Sequence, residues 1–212
     1  MNNLPFIREP QQKRSIEKKN KIIKAGFELF CEKGYHNTNT TEIANKAGVS
    51  TGTVYSYFKD KKDIYIASFE NFLNIHLQPL VDDLANTPKP IDIRQFVDKC
   101  IEIFRNLYVN SKQTINELGT MQETDPEILQ HFACYEDMLL TAFVKALDSP
   151  NINQQNLNEK MYLIYTLAGV LGQEYAFGYH NSIRLEILRE EVTNMLTNLL
   201  IIDKSEKHYD IY

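Results

Sequence analysis

The sequence has no apolar run long enough to cross a bilayer. Its longest, Met161 to Gly172, is broken by Thr166 and falls well short of the ~20 residues that a spanning helix needs. The opening stretch, MNNLPFIREPQQKRS, lacks the apolar centre of a secretory signal because Pro and charges interrupt it. A cytoplasmic protein without a membrane partner is therefore expected. Cysteine is scarce: Cys31, Cys100 and Cys134 are odd in number, widely spaced and each set in an apolar helical pattern, which excludes a disulfide framework. His131 and Cys134 would share a helix face, but zinc commonly takes four ligands and no CxxC accompanies them, so no metal site is expected. Catalytic signatures are missing as well. There is no P-loop, GxSxG, HExxH or dinucleotide fingerprint, and His36, His76, His131, His180 and His208 are scattered away from any plausible nucleophile. Neither enzymatic activity nor a cofactor is expected. Strand signals are nearly absent, and no internal repeat or low-complexity tract occurs.

What is present reads as an ordinary globular composition, 43% hydrophobic and 24% charged, which argues against disorder outside the termini. The net charge of −5 conceals an asymmetry. Residues 1–62 carry 12 Lys and Arg against 6 Asp and Glu, a balance of +6, so the remainder carries −11. A basic front end suits a polyanion, while the acidic remainder keeps nucleic acid off the wrong face.

Helical periodicity recurs along the whole chain. After a basic arm, Ile16, Ile23, Phe27 and Phe30 fall on one face of a helix over about 15–33, and Gly34 supplies its stop. Asn39 and Glu42 form a capping-box pair that opens a helix of about eight residues, closed by Gly48. Ser50 restarts a helix through Phe58, and Asp60 with Asp63 opens a longer one with Ile66, Phe69, Leu73 and Leu77 in register. Pro79 is expected to end or kink it. The segment Ala85 to Asp92 reads as a joint. Asp92 and Gln95 then cap a helix with Val97, Ile101, Phe104 and Tyr108 on its face, and a short helix covers about Lys112 to Met121. Asp125-Pro126-Glu127 opens another, with Ile128, Phe132, Tyr135, Leu139 and Phe143 inward. The last two helices cover about Leu157 to Tyr179 and Ile183 to Ile202. About nine helices and an all-α fold are expected.

Two short helices joined by Gly48-Val49-Ser50 form a helix-turn-helix, the arrangement that lays a second helix in the major groove. Ile43, Ala44, Ala47, Val49, Val54 and Phe58 are spaced to bury its inner faces. Thr51, Gly52, Thr53, Tyr55, Ser56 and Tyr57 are left at or near the start of the second helix. Small hydroxyl residues suit base edges, a glycine admits close backbone approach, and a tyrosine hydroxyl reaches phosphate. Lys61, opening the next helix, suits a phosphate as well.

The stretch GYHNTNTTEIANKAGVSTGTVYSYFKDKKDIY resembles the N-terminal DNA-binding domain of TetR/AcrR-family transcriptional regulators. The family's pattern is a Gly-aromatic turn, a Thr, then Ile-Ala, Ala-Gly-Val-Ser, Gly-Thr, Tyr, Tyr-Phe and Lys, and the match covers about Ile16 to Ile75. The resemblance implies a homodimer on a near-palindromic double-stranded DNA operator. Thr41, Thr51, Gly52, Thr53 and Tyr55 would face bases or nearby backbone, and Thr38, Ser56, Tyr57 and Lys61 would hold phosphates. Thr51 stands where many members carry Lys or Arg, which shifts specificity toward thymine methyls and DNA shape. The basic residues Arg8, Lys13, Arg14, Lys18 and Lys19 would compensate at the flanking backbone or minor groove.

The implied organisation is a flexible arm over 1–14, a helix-turn-helix domain over 15–62 with its motif at about 39–58, and a linking helix over 63–84. A C-terminal effector-binding and dimerisation domain over 85–204 and a tail over 205–212 complete it. A small hydrophobic or aromatic effector is expected among Phe104, Tyr108, Leu118, Met121, Phe132, Tyr135, Met138 and Tyr175. Dimerisation is expected through Ala168, Gly169, Gly172, Ala176, Leu188, Val192, Met195 and Leu199 on the last two helices. Together these point to a repressor released from DNA by its effector. The alternative is a same-fold adaptor or coactivator that acts through protein contacts without operator binding.

Overall fold

The computed structural model describes residues 13–202. The arm up to residue 12, with Arg8, and the tail from residue 203 lie outside the described residues. Nine helices are present among them: α1 (Lys13–Lys33), α2 (Thr40–Ala47), α3 (Thr51–Tyr55), α4 (Lys61–Asn86), α5 (Ile93–Asn110), α6 (Lys112–Thr124), α7 (Pro126–Ala146), α8 (Leu157–Phe177) and α9 (Leu185–Leu200). The described residues form no strand, only an isolated bridge between Ile152 and Ile201. No described helix is long and apolar enough to cross a membrane.

The helix ends follow from local chemistry. Asp92 accepts from the Gln95 amide, Asp125 accepts from the amides of Glu127 and Ile128, and Gly34 and Gly48 take the left-handed backbone that ends α1 and α2. Three expectations change. The segment from Ser50 to Phe58 is helical only to Tyr55 and then turns, because Asp60 opens a new helix whose Asp63 amide it caps. Pro79 does not end its helix: α4 runs through it to Asn86, with the proline ring exposed on a solvent face. Ile16 is exposed; the buried stripe of α1 is Ile22, Ala25, Gly26 and Phe30.

The chain gathers into two compact units, the first holding residues up to Asn74 together with Gln113–Phe132, the second Ile75–Lys112 and the rest. This division differs from one at residue 85. Residues 113–132 join the N-terminal helices because α6 bonds directly to them. Glu117 accepts from the Tyr35 amide at 2.8 Å, the Tyr65 hydroxyl donates to the Glu117 carbonyl at 3.2 Å, and Cys31 meets Thr114 at 3.3 Å. Lys62 pairs with both Asp125 and Glu127 at 2.8 Å. The unit's core is aromatic: Tyr65 stacks on Phe69 and meets the edges of Phe30 and Tyr35.

In the second unit α5 packs along α8 at close range. A Cβ at Gly172 would sit 2.6 Å from the Tyr108 ring and 3.0 Å from the Phe104 carbonyl, so only glycine admits this approach. Arg94 and Arg189 tie α5 and α9 together, Arg94 to Glu190 at 2.8 Å and Arg189 to Glu102 at 3.0 Å.

Candidate nucleic-acid interface

The helix-turn-helix is assembled from short-range bonds. Asn39 accepts from the Glu42 amide at 3.0 Å, and Glu42 accepts from the Asn39 amide at 3.1 Å, which completes the capping box at the start of α2. Lys33 also reaches Glu42 at 2.6 Å, and its bond, more than the Asn39 amide, holds that carboxyl below the usual glutamate range. At the far end Gly48 has φ +68°, its N–H facing the carbonyls of Ala44 and Asn45. Ser50 then caps α3 by accepting from the Thr53 amide at 3.1 Å. Ile43, Ala44, Val54 and Phe58 are buried and fix the angle between α2 and α3, while Ala47 and Val49 are half-buried.

The exposed surface of α3 is uncharged and hydroxyl-rich. Thr41, Thr51, Gly52, Tyr55 and Ser56 are exposed and Thr53 is half-buried. A Cβ at Gly52 would meet nothing nearer than the Ser50 hydroxyl at 3.8 Å, so the fold itself does not require a glycine there. Tyr55, 55% exposed, has its hydroxyl 3.2 Å from that of Thr40, which orients a ring that otherwise projects into solvent. Ser56 donates back to the Thr53 carbonyl at 2.7 Å.

Three residues expected on phosphates make bonds within the fold. Thr38 is buried, 2% exposed, and its hydroxyl donates to the Gly34 carbonyl at 2.9 Å, satisfying an orphan group past the end of α1. The Tyr57 hydroxyl lies 2.7 Å from that of Ser15 and ties the end of the motif to α1. The Lys61 ammonium donates to the carbonyls of Tyr35 and Thr38 at 2.7 and 2.8 Å and sits 4.1 Å from the centre of the Tyr35 ring. Desolvation at that position pulls its pKa down. These partners lie 23 and 26 residues away in sequence, and no local pattern announces them. Lys13, Arg14 and Lys18 are exposed on the first turns of α1, and Lys19 lies 5.9 Å from the Phe58 ring. Sequence reasoning missed Thr40, Ser15 and Tyr35, all of which act by positioning a residue that it did single out.

A family model described as bacterial regulatory proteins, tetR family, matches residues 22–67, which span α2, α3 and the flanking helices that hold them. Over these residues the chain is similar to the tetR family. Among curated proteins it is 37% identical over 76 residues to the HTH-type transcriptional regulator HbdR of Aromatoleum sp. (strain CIB), covering 36% of this chain and 33% of that one. It is 40% identical over 63 residues to the fatty acid metabolism regulator protein of Bacillus subtilis (strain 168), covering 30% of this chain and 32% of that one. The chain thus matches about a third of the length of these relatives. The fold extends further. A TetR family transcription regulator from Marinobacter aquaeolei VT8 superposes with a TM-score of 0.58 at 19% identity, covering 90% of this chain and 99% of that one. The transcriptional regulator FadR from Bacillus subtilis, in complex with stearoyl-CoA, superposes with a TM-score of 0.54 at 22% identity, covering 85% and 98%.

The residues expected to line an effector pocket are drawn from both compact units. Leu118, Met121 and Phe132 belong to the first unit, and Phe104, Tyr108, Tyr135, Met138 and Tyr175 to the second. Met138 is 63% exposed because it lies off the buried stripe of Tyr135 and Leu139, and Tyr175 takes Arg105 against its ring at 5.6 Å. The residues expected at a dimer interface also divide. Ala168, Gly169, Gly172 and Ala176 are buried within the chain, the two glycines under Tyr108 and Phe104, because a small-residue stripe is what α5 needs to approach α8. Val192 is buried, Leu188 and Leu199 are half-buried and Met195 is exposed. The large apolar side chains that α8 and α9 leave outside are Tyr162, Leu163, Val170, Ile187 and Met195.

Proposed function

We propose that this chain is a transcriptional repressor that binds a near-palindromic operator as a homodimer and is released by a small hydrophobic or aromatic effector. The observation that carries the reading is the exposed end of α3, where Thr51, Gly52, Tyr55 and Ser56 stand on a Gly48 turn and a Ser50 cap and nothing else in their unit needs them outward. A helix presented in this way reaches base edges with hydroxyls and methyls rather than with charge, and Gly52 lets the backbone close on the groove. Paired copies would meet through the exposed apolar side chains of α8 and α9, and the two recognition helices would address half-sites about 34 to 36 Å apart. Effector binding in the second unit then lowers operator affinity by favouring a different spacing. Relatives named as fatty acid regulators and the FadR complex with stearoyl-CoA support an apolar effector.

One observation favours an adaptor acting through protein contacts: Thr38, Tyr57 and Lys61 spend their polar groups internally, which leaves fewer side chains for phosphates. Selection from a randomised duplex library at two salt concentrations separates the readings. The repressor reading expects an enriched palindrome. Salt-steep binding without any enriched sequence, or no binding, would reject it in favour of a nonspecific binder or an adaptor.

A further inference from the structure

Among the described carboxylates of the second unit that are buried or half-buried, one differs from the rest. Asp98, Glu102 and Glu174 each face an Arg or His at salt-bridge distance. Glu136, on α7, faces none among the described residues. Its one hydrogen bond is accepted from the Tyr165 hydroxyl of α8, 2.8 Å from Oε1. The Tyr165 ring in turn meets Phe104 of α5 edge to face, with centroids 5.1 Å apart, and Tyr108 lies over Gly169 and Gly172 with its hydroxyl bonded to Gln173. Three elements thus bring a carboxylate and three rings to one place. The glycines of α8 let the rings sit this deep.

Burial raises the Glu136 carboxyl, the Tyr165 bond lowers it and neighbouring Asp137 raises it again. Burial, followed by that same carboxylate, pushes the Tyr165 phenol up and keeps it a donor. Glu136 is half-buried. A half-buried anion without a counterion is costly unless something compensates it. A purely structural tie to Tyr165 would be served equally by glutamine, which accepts the same bond without a charge.

We infer that Glu136, with the rings of Phe104, Tyr108 and Tyr165, forms a recognition site for an organic ammonium, so that the effector carries a positive charge on its apolar body. This rests on the effector-responsive reading above and narrows its ligand class. Aromatic faces and a carboxylate share one preference, a diffuse cation with greasy substituents, and both disfavour an anion. A lone carboxylate is a poor ligand set for a metal ion, and the described residues hold no group of three metal-binding side chains.

The test is calorimetric titration of the full chain with benzyltrimethylammonium and with its neutral carbon isostere, neopentylbenzene. The ammonium is expected to bind about tenfold or more tightly than the isostere. Glu136→Gln is expected to erase that preference while leaving the isostere's affinity unchanged. Equal binding of the two probes, no binding of the ammonium, or a preference that survives in Glu136→Gln overturns the inference. If that variant does not fold, pH decides on the native chain, because the probe's charge is fixed. The groups facing Glu136 are the Tyr108 and Tyr165 hydroxyls and Asp137. With a raised carboxyl, the preference is expected to fade on acidification before the ordinary glutamate value of about 4.3 is reached, and its persistence below that value overturns the inference. Operator binding measured on the same preparation fails or stands independently, so loss of the repressor reading is distinguishable from loss of this site.

Discussion

Lys61 illustrates how a residue's role is decided by partners that a linear motif does not contain. Its position at the start of α4 suggests a phosphate contact, yet two of its three donors go to the carbonyls of Tyr35 and Thr38 and its charge rests on the Tyr35 ring. It therefore holds the turn between α1 and α2, which sets where α2 begins. Lys61→Met is expected to destabilise the chain by about 1 to 3 kcal/mol, the usual worth of charge-assisted bonds of this kind. Measured against operator DNA, the same variant is expected to weaken binding at every salt concentration with an unchanged salt slope. A direct phosphate contact would instead flatten the slope of log K against log salt by about 0.9. Tyr55→Phe isolates a different quantity, because it removes only the hydroxyl that lies against Thr40. Its folding stability is expected to stay within ~0.5 kcal/mol of the parent, as for other surface changes, while operator selectivity falls in a repeat of the library selection.

At the scale of the element, α2 is an eight-residue helix, too short to persist without its ends. Its N-terminus depends on an ionised Glu42, whose pKa is depressed in the folded chain by Lys33 and the Asn39 amide. A depressed carboxyl contributes stability that is present above its unfolded value, about 4.3, and is lost as pH falls through the lower folded value. Thermal unfolding of the parent and of Glu42→Ala is thus expected to differ at pH 7 and to converge in acid; a gap that stays constant down to about pH 2 would remove the charge from the explanation. The C-terminus depends on Gly48 at φ +68°, where an L side chain is strained, so Gly48→Ala is expected to cost about 1 kcal/mol although a Cβ there meets nothing within 4 Å. These ends were legible in the sequence. Asn39 with Glu42, Ser50, Asp92, Asp125 and the two stop glycines act over two to five residues, a distance that a motif can encode. Pro79 does not end α4 for the complementary reason: its ring is exposed, and a 26-residue helix can lose one backbone hydrogen bond there and continue.

For the molecule as a whole, sequence periodicity yields the helix count and most inward faces, but not which chain-distant segments belong together. Nothing local in Asp125 or Glu127 signals Lys62, and nothing in Glu117 signals Tyr35, so the membership of residues 113–132 in the first unit is a tertiary fact. The same limit governs the small residues of α8. A stripe of Ala and Gly reads as permission for another helix to approach without saying which, and here the occupant is α5 of the same chain. The proposed self-association therefore falls to the large apolar side chains left outside, and the two roles make opposite predictions. Gly172→Ala drives a Cβ to 2.6 Å from Tyr108 and 3.0 Å from a backbone carbonyl, and is expected to cost about 1 to 3 kcal/mol in denaturant unfolding, the usual range for overpacking. Val170→Glu and Met195→Glu place charge on exposed positions, so helix content is expected to be retained while sedimentation shifts toward the monomer and affinity for a two-half-site duplex falls toward that for one half-site. If instead both glutamate variants sediment as the parent does, these faces of α8 and α9 are ordinary surface, and a palindromic operator would have to be met by copies joined elsewhere.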